Sequence, residues 1–376
     1  MEDRIYISKP HMNGEEELYI KKAITTNWIT TKGHFIDEFE SLMEKYIGAN
    51  KRTVALNSGT SALHMALILI GVSEGDEVLC QTSSFAATVN PILYLKAVPV
   101  FIDSEEDTWN MCPDFLEEAL IDRIKKGKRP KAIVVVDSYG MPAKWNKLLE
   151  ISKRYNIPVI EDAAEALGSS YKKQKCGTLG HLGIYSFNGN KIITTSSGGM
   201  LICNNEREQK NAIMYASQAK DLDNSNKHVD IGYNYRMSNI LGAMGVAQFR
   251  TLEKRVEQRR KNNTYYQKTL NKDVFKLQQE TGNDFFSNFW LSCVTIVGKD
   301  FERVKSNIIE LFQLENIEYR NLWFPLHKQP FLEDPIYYGN GFADDLFKRG
   351  FCLPSSSNLT DSELYRVSAV LDKCLL

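Results

Sequence analysis

The stretch from His181 to Met200, HLGIYSFNGNKIITTSSGGM, decides how the rest of this sequence is read. Its residues 183–187 form an apolar run whose length and β-branched and aromatic content predict a buried strand. A turn of small residues follows, Asn188-Gly189-Asn190, and then a single lysine, Lys191, set against Ile192-Ile193-Thr194-Thr195. The stretch closes on Ser196-Ser197-Gly198-Gly199. A lysine between a buried strand and an apolar segment is costly to keep charged and dry, which favours the free amine. A free amine adds to carbonyls and forms Schiff bases. The competing reading of these residues alone is a loop lysine snorkelling to water.

Working outward, strand-like runs also occur at 53–57, 77–81, 98–102, 131–136, 157–161 and 200–203. Helical patterns separate most of them, including 62–70, 113–126 and 145–155. Strands that are apolar throughout and spaced by helices predict an α/β fold, a mostly parallel sheet covered by helices on both faces. Ligands of such sheets sit beyond the carboxyl ends of the strands, so the loops after strands are the ones to inspect. Residues 1–50 read as an arm followed by a helix, with Phe35, Phe39, Leu42, Met43 and Tyr46 at helical spacing after Gly33. After Asp230 the pattern changes. A long helix is expected over 244–269, carrying Arg255, Arg259, Arg260 and Lys261 as a solvated face. The remainder, with a strand at 291–297 and a helix at 301–316, suits a smaller α+β domain. The expected division is a large domain over 1–246 and a small one over 247–376.

The chain has 376 residues, enough for two domains, with 43% hydrophobic and 25% charged residues. Lys+Arg 46 against Asp+Glu 47 leaves a formal charge of −1, which gives no electrostatic case for nucleic acid or an anionic membrane. Seven dispersed cysteines without a Cys-x-x-Cys pair read as reduced thiols, with neither a disulfide frame nor a metal site. The start, Met1-Glu2-Asp3-Arg4, lacks a signal-peptide pattern, and no apolar run approaches membrane-spanning length. The expectation is a cytoplasmic protein.

Three further constellations carry chemistry. Ser58-Gly59-Thr60-Ser61 follows a strand and opens a helix, where free N–H groups make a phosphate cup or, more simply, a capped turn. Asp162 ends the strand in Pro158-Val159-Ile160-Glu161-Asp162-Ala163-Ala164-Glu165, placed either to cap the next turn or to face a ligand cation. Against a ring cation at ~4 Å, an effective dielectric of ~20 gives roughly 4 kcal/mol. That is about three pKa units, enough to keep a pyridine nitrogen protonated at neutral pH. Phe85, after the strand ending at Gln81, offers a flat face for a ring or a core contact. A phosphate cup, a stacking aromatic, a carboxylate for a pyridinium and an amine, in this order along one α/β domain, describe a pyridoxal phosphate site.

These residues sit in a sequence that resembles the DegT/DnrJ family of nucleotide-sugar aminotransferases, within the fold type I pyridoxal phosphate enzymes. The likeness runs through Trp28-Ile29-Thr30-Thr31-Lys32-Gly33, 57–63, 75–78, 99–103, 161–168, Ser186-Phe187 with Lys191, and Gly232-Tyr233-Asn234-Tyr235-Arg236-Met237-Ser238. It implies that Lys191 holds pyridoxal 5'-phosphate as a Schiff base and moves the proton. It also implies that Asp162 pairs with the pyridine nitrogen, that Gly59, Thr60 and Ser186 hold the phosphate, and that Phe85 stacks on the ring. Asn234 would reach that phosphate from the other subunit of a homodimer with shared sites. A branch of the family carries histidine in place of the lysine and dehydrates sugars; Lys191 points to transamination instead. The sequence departs from the family at Ser196-Ser197, where glycines or Gly-Glu are usual. It departs again at Glu165, where relatives carry an amide or imidazole near the cofactor's phenolic oxygen. A carboxylate there has to be protonated, turned away or paired with a cation.

The tail Tyr319-Arg320-Asn321-Leu322-Trp323-Phe324-Pro325-Leu326-His327, with Gly350-Phe351-Cys352-Leu353-Pro354-Ser355, resembles the subgroup acting on UDP-4-keto-6-deoxy-N-acetylglucosamine with L-glutamate as donor. Substrate contacts are expected from Thr31, Arg320, Trp323 and His327, against the alternative that they pack domains together. The alternatives for function are an aminotransferase on a GDP- or dTDP-linked 3- or 4-keto hexose, and a non-catalytic regulator that kept the fold. The sequence shows no basic recognition helix for the latter.

Overall fold

The computed structural model describes residues 3–48, 50–221 and 226–375; Met1 and Glu2 of the start read above lie outside them. An eight-stranded sheet forms the frame. Across it the strands run Arg52–Leu56, Gly199–Cys203, Leu182–Ser186, Val159–Asp162, Ala132–Val136, Glu77–Gln81, Val98–Ile102 and Ile336–Tyr338. Gly199–Cys203 pairs antiparallel with both neighbours, and the other pairings are parallel. The predicted strands are therefore present within a residue or two, in a mostly parallel sheet.

Period-two side chains explain why both faces need helices. On one face Leu79, Val100, Ile102, Ile133 and Val135 pack with Leu116, Trp145 and Leu148. On the other, Val78, Cys80, Phe101 and Val134 pack with Leu63 and Leu67 of the helix Gly59–Ile70. The helix Trp145–Tyr155 ends at Asn156, in the left-handed conformation that asparagine tolerates at a helix end. The arm contains a helix that the sequence reading left out, Glu16–Thr25, which packs against Asn239–Phe249.

A second, four-stranded sheet is built from Phe275–Leu277, Ser292–Ile296, Gly350–Leu353 and Arg320–Asn321, and packs against Phe301–Leu314 and Asp361–Lys373. The chain crosses between the two sheets: Ile5 joins the core of the smaller one, while Ile336–Tyr338 adds an edge to the larger.

Two expectations need correcting. The helix expected over 244–269 is two helices, Asn239–Phe249 and Leu252–Thr269. The break falls where the Thr251 hydroxyl bonds back to the Gln248 carbonyl. The basic cluster is not a solvated face either. Arg255 and Arg259 are buried, at 3% and 1% exposure, and Arg260 is bound to Glu280. Lys261 alone points to water. The long arginine stems cover apolar surface, and their heads find carbonyls and a hydroxyl inside the fold.

All seven cysteines are free and buried, and among the described residues no helix is long and apolar enough to cross a membrane.

Candidate active site

The carboxyl ends of the central parallel strands open into a cavity of about 250 Å³. Three segments build its floor. After Arg52–Leu56, Ser58 caps the helix Gly59–Ile70: its hydroxyl accepts the Ser61 N–H at 3.0 Å, and its carbonyl accepts that of Ala62. The N–H groups of Gly59 and Thr60 are left at the helix start, beside the cavity, with no partner inside the helix. A Cβ on Gly59 would lie 2.9 Å from that of Ser186, so glycine lets the two turns meet. Gly199 is required for the same reason, because a Cβ there would strike the Ser58 carbonyl carbon at 2.3 Å. Ser196 takes a left-handed φ of 71°, and Ser197 ties the loop to the Asn57 carbonyl.

Asp162 ends its strand almost fully buried. Its carboxylate accepts the Thr88 hydroxyl at 2.9 Å and the Ala164 N–H at 3.2 Å. Burial pushes this carboxyl above the ordinary aspartate range, while those two donors pull it back. Behind it, on the opposite face of the sheet, Glu161, Asp137 and Cys176 form a dry cluster. Glu161 accepts N–H groups of Gly177, Leu179 and Gly180, and Asp137 accepts those of Ala143 and Trp145. Burial raises both carboxyls, Asp137 to about 6.

Lys191 enters from the turn after Leu182–Ser186. Its amine lies 4.1 Å from the centre of the Trp290 ring and 3.4 Å from Glu165 Oε1. Glu165 is thus neither turned away nor alone but faces the lysine amine, and its other oxygen accepts the Tyr139 N–H at 2.7 Å. The Asn190 carbonyl, one residue before the lysine, accepts both the Ser8 hydroxyl and the Trp290 indole N–H.

The cavity gathers eight of the residues singled out in the sequence: Gly59, Thr60, Phe85, Asp162, Glu165, Ser186, Lys191 and Trp323. Thr31, Asn234, Arg320 and His327 do not line it. Thr31 and Asn234 are exposed, with the Asn234 carbonyl held by the Asn57 amide. Arg320 pairs with Glu318 at 2.8 Å. His327 bonds the Thr82 hydroxyl at 2.7 Å and stacks on Tyr337 at 4.1 Å. Thr88, Tyr139 and Trp290 were missed by the sequence reading. Thr88 and Trp290 carry no signal there, and Tyr139, in the turn after a strand and beside a glycine, carries only a hint of a tight turn and none of its role.

A lysine amine, a buried strand-end acid and a helix-start N–H cup around one cavity, on a mostly parallel sheet, define a fold type I pyridoxal phosphate-dependent aminotransferase. The chain belongs to the DegT/DnrJ/EryC1/StrS aminotransferase family, whose model matches residues 10–372, and is a sugar aminotransferase acting on nucleotide-linked sugars. It is 46% identical to the putative pyridoxal phosphate-dependent aminotransferase EpsN of Bacillus subtilis, over 99% of this chain and 96% of that one. It is 34% identical to GDP-perosamine synthase of Escherichia coli O157:H7, over 96% and 95% of the two chains. A 38% identity to UDP-4-amino-4,6-dideoxy-N-acetyl-beta-L-altrosamine transaminase of Campylobacter jejuni covers 66% of this chain and 65% of that one.

Proposed function

We propose that this enzyme transfers the amino group of L-glutamate to the 4-keto group of UDP-4-keto-6-deoxy-N-acetylglucosamine, in the cytoplasm, as a homodimer with shared sites. The observation that carries the aminotransferase chemistry is the convergence of Lys191, Asp162 and the Ser58–Thr60 turn on one cavity. The residues fit pyridoxal phosphate by their donor set: N–H groups and the Ser186 hydroxyl for the phosphate, Asp162 for the ring cation, Phe85 for the ring face. When bound, the cofactor supplies the electron sink for the amino transfer.

The protein supplies position and protons. The Lys191 amine is the base that removes the α-carbon proton of the amino donor in one half-reaction and the acid that delivers a proton to carbon 4 of the sugar in the other, from the side on which the Trp290 ring and Glu165 hold it. A ring cation held in front of Asp162 would keep it ionised, since burial alone disfavours its charge. Thr88 fixes the carboxylate plane. Trp323 is the sugar-side wall of the cavity, with Arg320, His327 and Thr31 as outer substrate contacts. Asn234 reaches the phosphate of a second copy, which its exposure supports. The apolar side chains left bare nearby, Phe85, Tyr94 and Ile231, support the same face as the dimer contact. The catalytic unit is then a large domain over 1–246 with a small domain over 247–376 closing the substrate side.

The UDP-linked N-acetyl sugar is favoured by the tail around Trp323 and by the UDP-sugar transaminase among the relatives. The full-length likeness to a GDP-perosamine synthase favours a GDP-linked sugar as the second reading. Supplying UDP-, GDP- and dTDP-linked 4-keto-6-deoxy sugars with glutamate, and following 2-oxoglutarate, separates them. The UDP sugar is expected to have the highest kcat/KM. A higher value for the GDP sugar overturns the nucleotide assignment, and no 2-oxoglutarate from any of them overturns the donor and acceptor assignment together.

A further inference from the structure

We infer that Tyr139 is a positioning residue that holds Trp323 at the sugar side of the cavity while its backbone holds Glu165 against Lys191. The inference rests on the sugar aminotransferase reading above and assigns how the two sides of that site are kept in register.

Tyr139 follows the strand Ala132–Val136 and is 2% exposed. It has φ 59° and ψ 13°, and the next residue, Gly140, has φ 93°. The Met141 N–H closes the turn onto the Ser138 carbonyl at 3.0 Å. Two successive left-handed residues inside such a four-residue turn are the geometry of a type I′ turn, which favours Asn-Gly. A buried tyrosine in its first central position is strained backbone, and strain of this kind persists where the surroundings over-determine it. The surroundings here do so. The Tyr139 carbonyl accepts the Leu291 N–H, and the Ser169 hydroxyl holds the Gly140 carbonyl at 2.7 Å. A Cβ on Gly140 would fall 1.8 Å from the Asn288 amide oxygen, so the second position admits glycine only. Asn288 in turn donates to the Glu165 and Leu167 carbonyls.

The strained conformation points the two ends of Tyr139 at different parts of the site. Its N–H donates to Glu165 Oε2 at 2.7 Å, and Glu165 Oε1 faces the Lys191 amine. Its hydroxyl accepts the Trp323 backbone N–H at 2.7 Å, and its ring lies nearly parallel to the Trp323 indole, 8° off at 5.9 Å. Trp323 then meets Phe85 at 5.3 Å across the cavity mouth. Without Tyr139, the segment carrying Trp323 has no bond at that point to the strand ends that carry the lysine and its carboxylate.

Two variants separate the two ends. Tyr139→Phe removes the hydroxyl and keeps the ring. Tyr139→Asn suits the left-handed turn and keeps the N–H, but removes both hydroxyl and ring. The holoenzyme is labelled with 5-fluorotryptophan, the Trp323 signal is assigned with Trp323→Phe, and the two half-reactions are followed by cofactor absorbance. The Trp323 fluorine signal is expected to shift or broaden in both variants. KM for the nucleotide sugar is expected to rise about tenfold in Tyr139→Phe, the loss of one good hydrogen bond, and further in Tyr139→Asn. The glutamate half-reaction loses no more than about twofold, because the N–H to Glu165 remains. A Trp323 signal unmoved in both variants overturns the inference, as does an equal fall in both half-reactions. If the wild type takes the amino group from glutamate but passes it to no keto-sugar, the substrate assignment fails while the fluorine signal still decides the role of Tyr139.

Discussion

The cavity floor and the segment over residues 319–328 were both conspicuous in the sequence, yet they differ in how their residues are used. On the floor, Gly59, Asp162, Ser186 and Lys191 stand at or just beyond strand ends and meet around one space. In the 319–328 segment only Trp323 faces that space. Arg320 is taken by Glu318, Leu326 by the Thr82 carbonyl and His327 by the Thr82 hydroxyl. The difference has a physical cause. A parallel sheet fixes where every strand ends, so a residue at a strand end has its neighbours chosen by the register of the whole sheet. A loop residue takes whichever partner its own backbone path brings near, and that path is set by distant anchors.

The largest effect that separates the two regions belongs to Lys191. Replacing it with alanine removes the amine proposed to move protons in both half-reactions, and is expected to lower multiple-turnover kcat by about four orders of magnitude. Phosphate-dependent cofactor binding is retained, since the Gly59 turn and Ser186 are untouched. Stopped-flow and steady-state 2-oxoglutarate release check this, and turnover within about tenfold of wild type would remove the lysine from the chemistry. Asp162→Asn comes next. An amide at ~4 Å from a ring cation gives up most of the roughly 4 kcal/mol of attraction set out above. The expected loss is two to three orders of magnitude in kcat, with the nucleotide-sugar KM changed little, about twofold. If Asp162→Asn instead raised KM and spared kcat, the floor would be a binding surface like the segment above it, and the contrast between the regions would collapse.

What was readable beforehand follows the same division. Seven of the eight strands were legible because each is a mostly apolar run of four or five residues; the three-residue edge strand Ile336–Tyr338 was not, being too short to show a period. Lys191 and Asp162 were legible because a charge near the end of such a run has to be accounted for. The turn at Ser196 was open in the sequence; its left-handed φ is one that glycine adopts more readily, and the serine is held there by its N–H on the Thr194 hydroxyl. Arg255 and Arg259 were misread because charge spacing along a helix says which residues share a face but not whether another segment covers it. Here residues 8–11 of the arm and the loop at Trp290 cover it, contacts more than two hundred and about thirty residues apart in the chain. Tyr139 escaped because its role lies in a backbone angle, which no side-chain pattern reports.

The smallest expected effect tests how firmly the 319–328 segment is pinned. The His327 ring is held below its ordinary pKa, first by burial and then by Lys328, against the opposing pull of Asp344 and Asp103. Thr82 and Tyr337 complete its surroundings. A base whose docked pKa is lowered takes up its proton more readily when undocked. The docked segment is therefore fully favoured above the ordinary histidine value, and loses ground as pH falls through that value toward the lowered one. Hydrogen exchange of the Leu326 and Lys328 amides, corrected for intrinsic rates, is expected to lose about two- to fivefold of its protection between about pH 7.5 and about pH 5.5. His327→Gln, which can still bond Thr82 but cannot titrate, is expected to flatten that dependence, and amides on the cavity floor should show none of it. Protection that stays level in the wild type would take His327 out of the docking, and a fall that is equal at Ala164 beside Asp162 would mean that the segment and the floor open together and are one mechanical unit, not two.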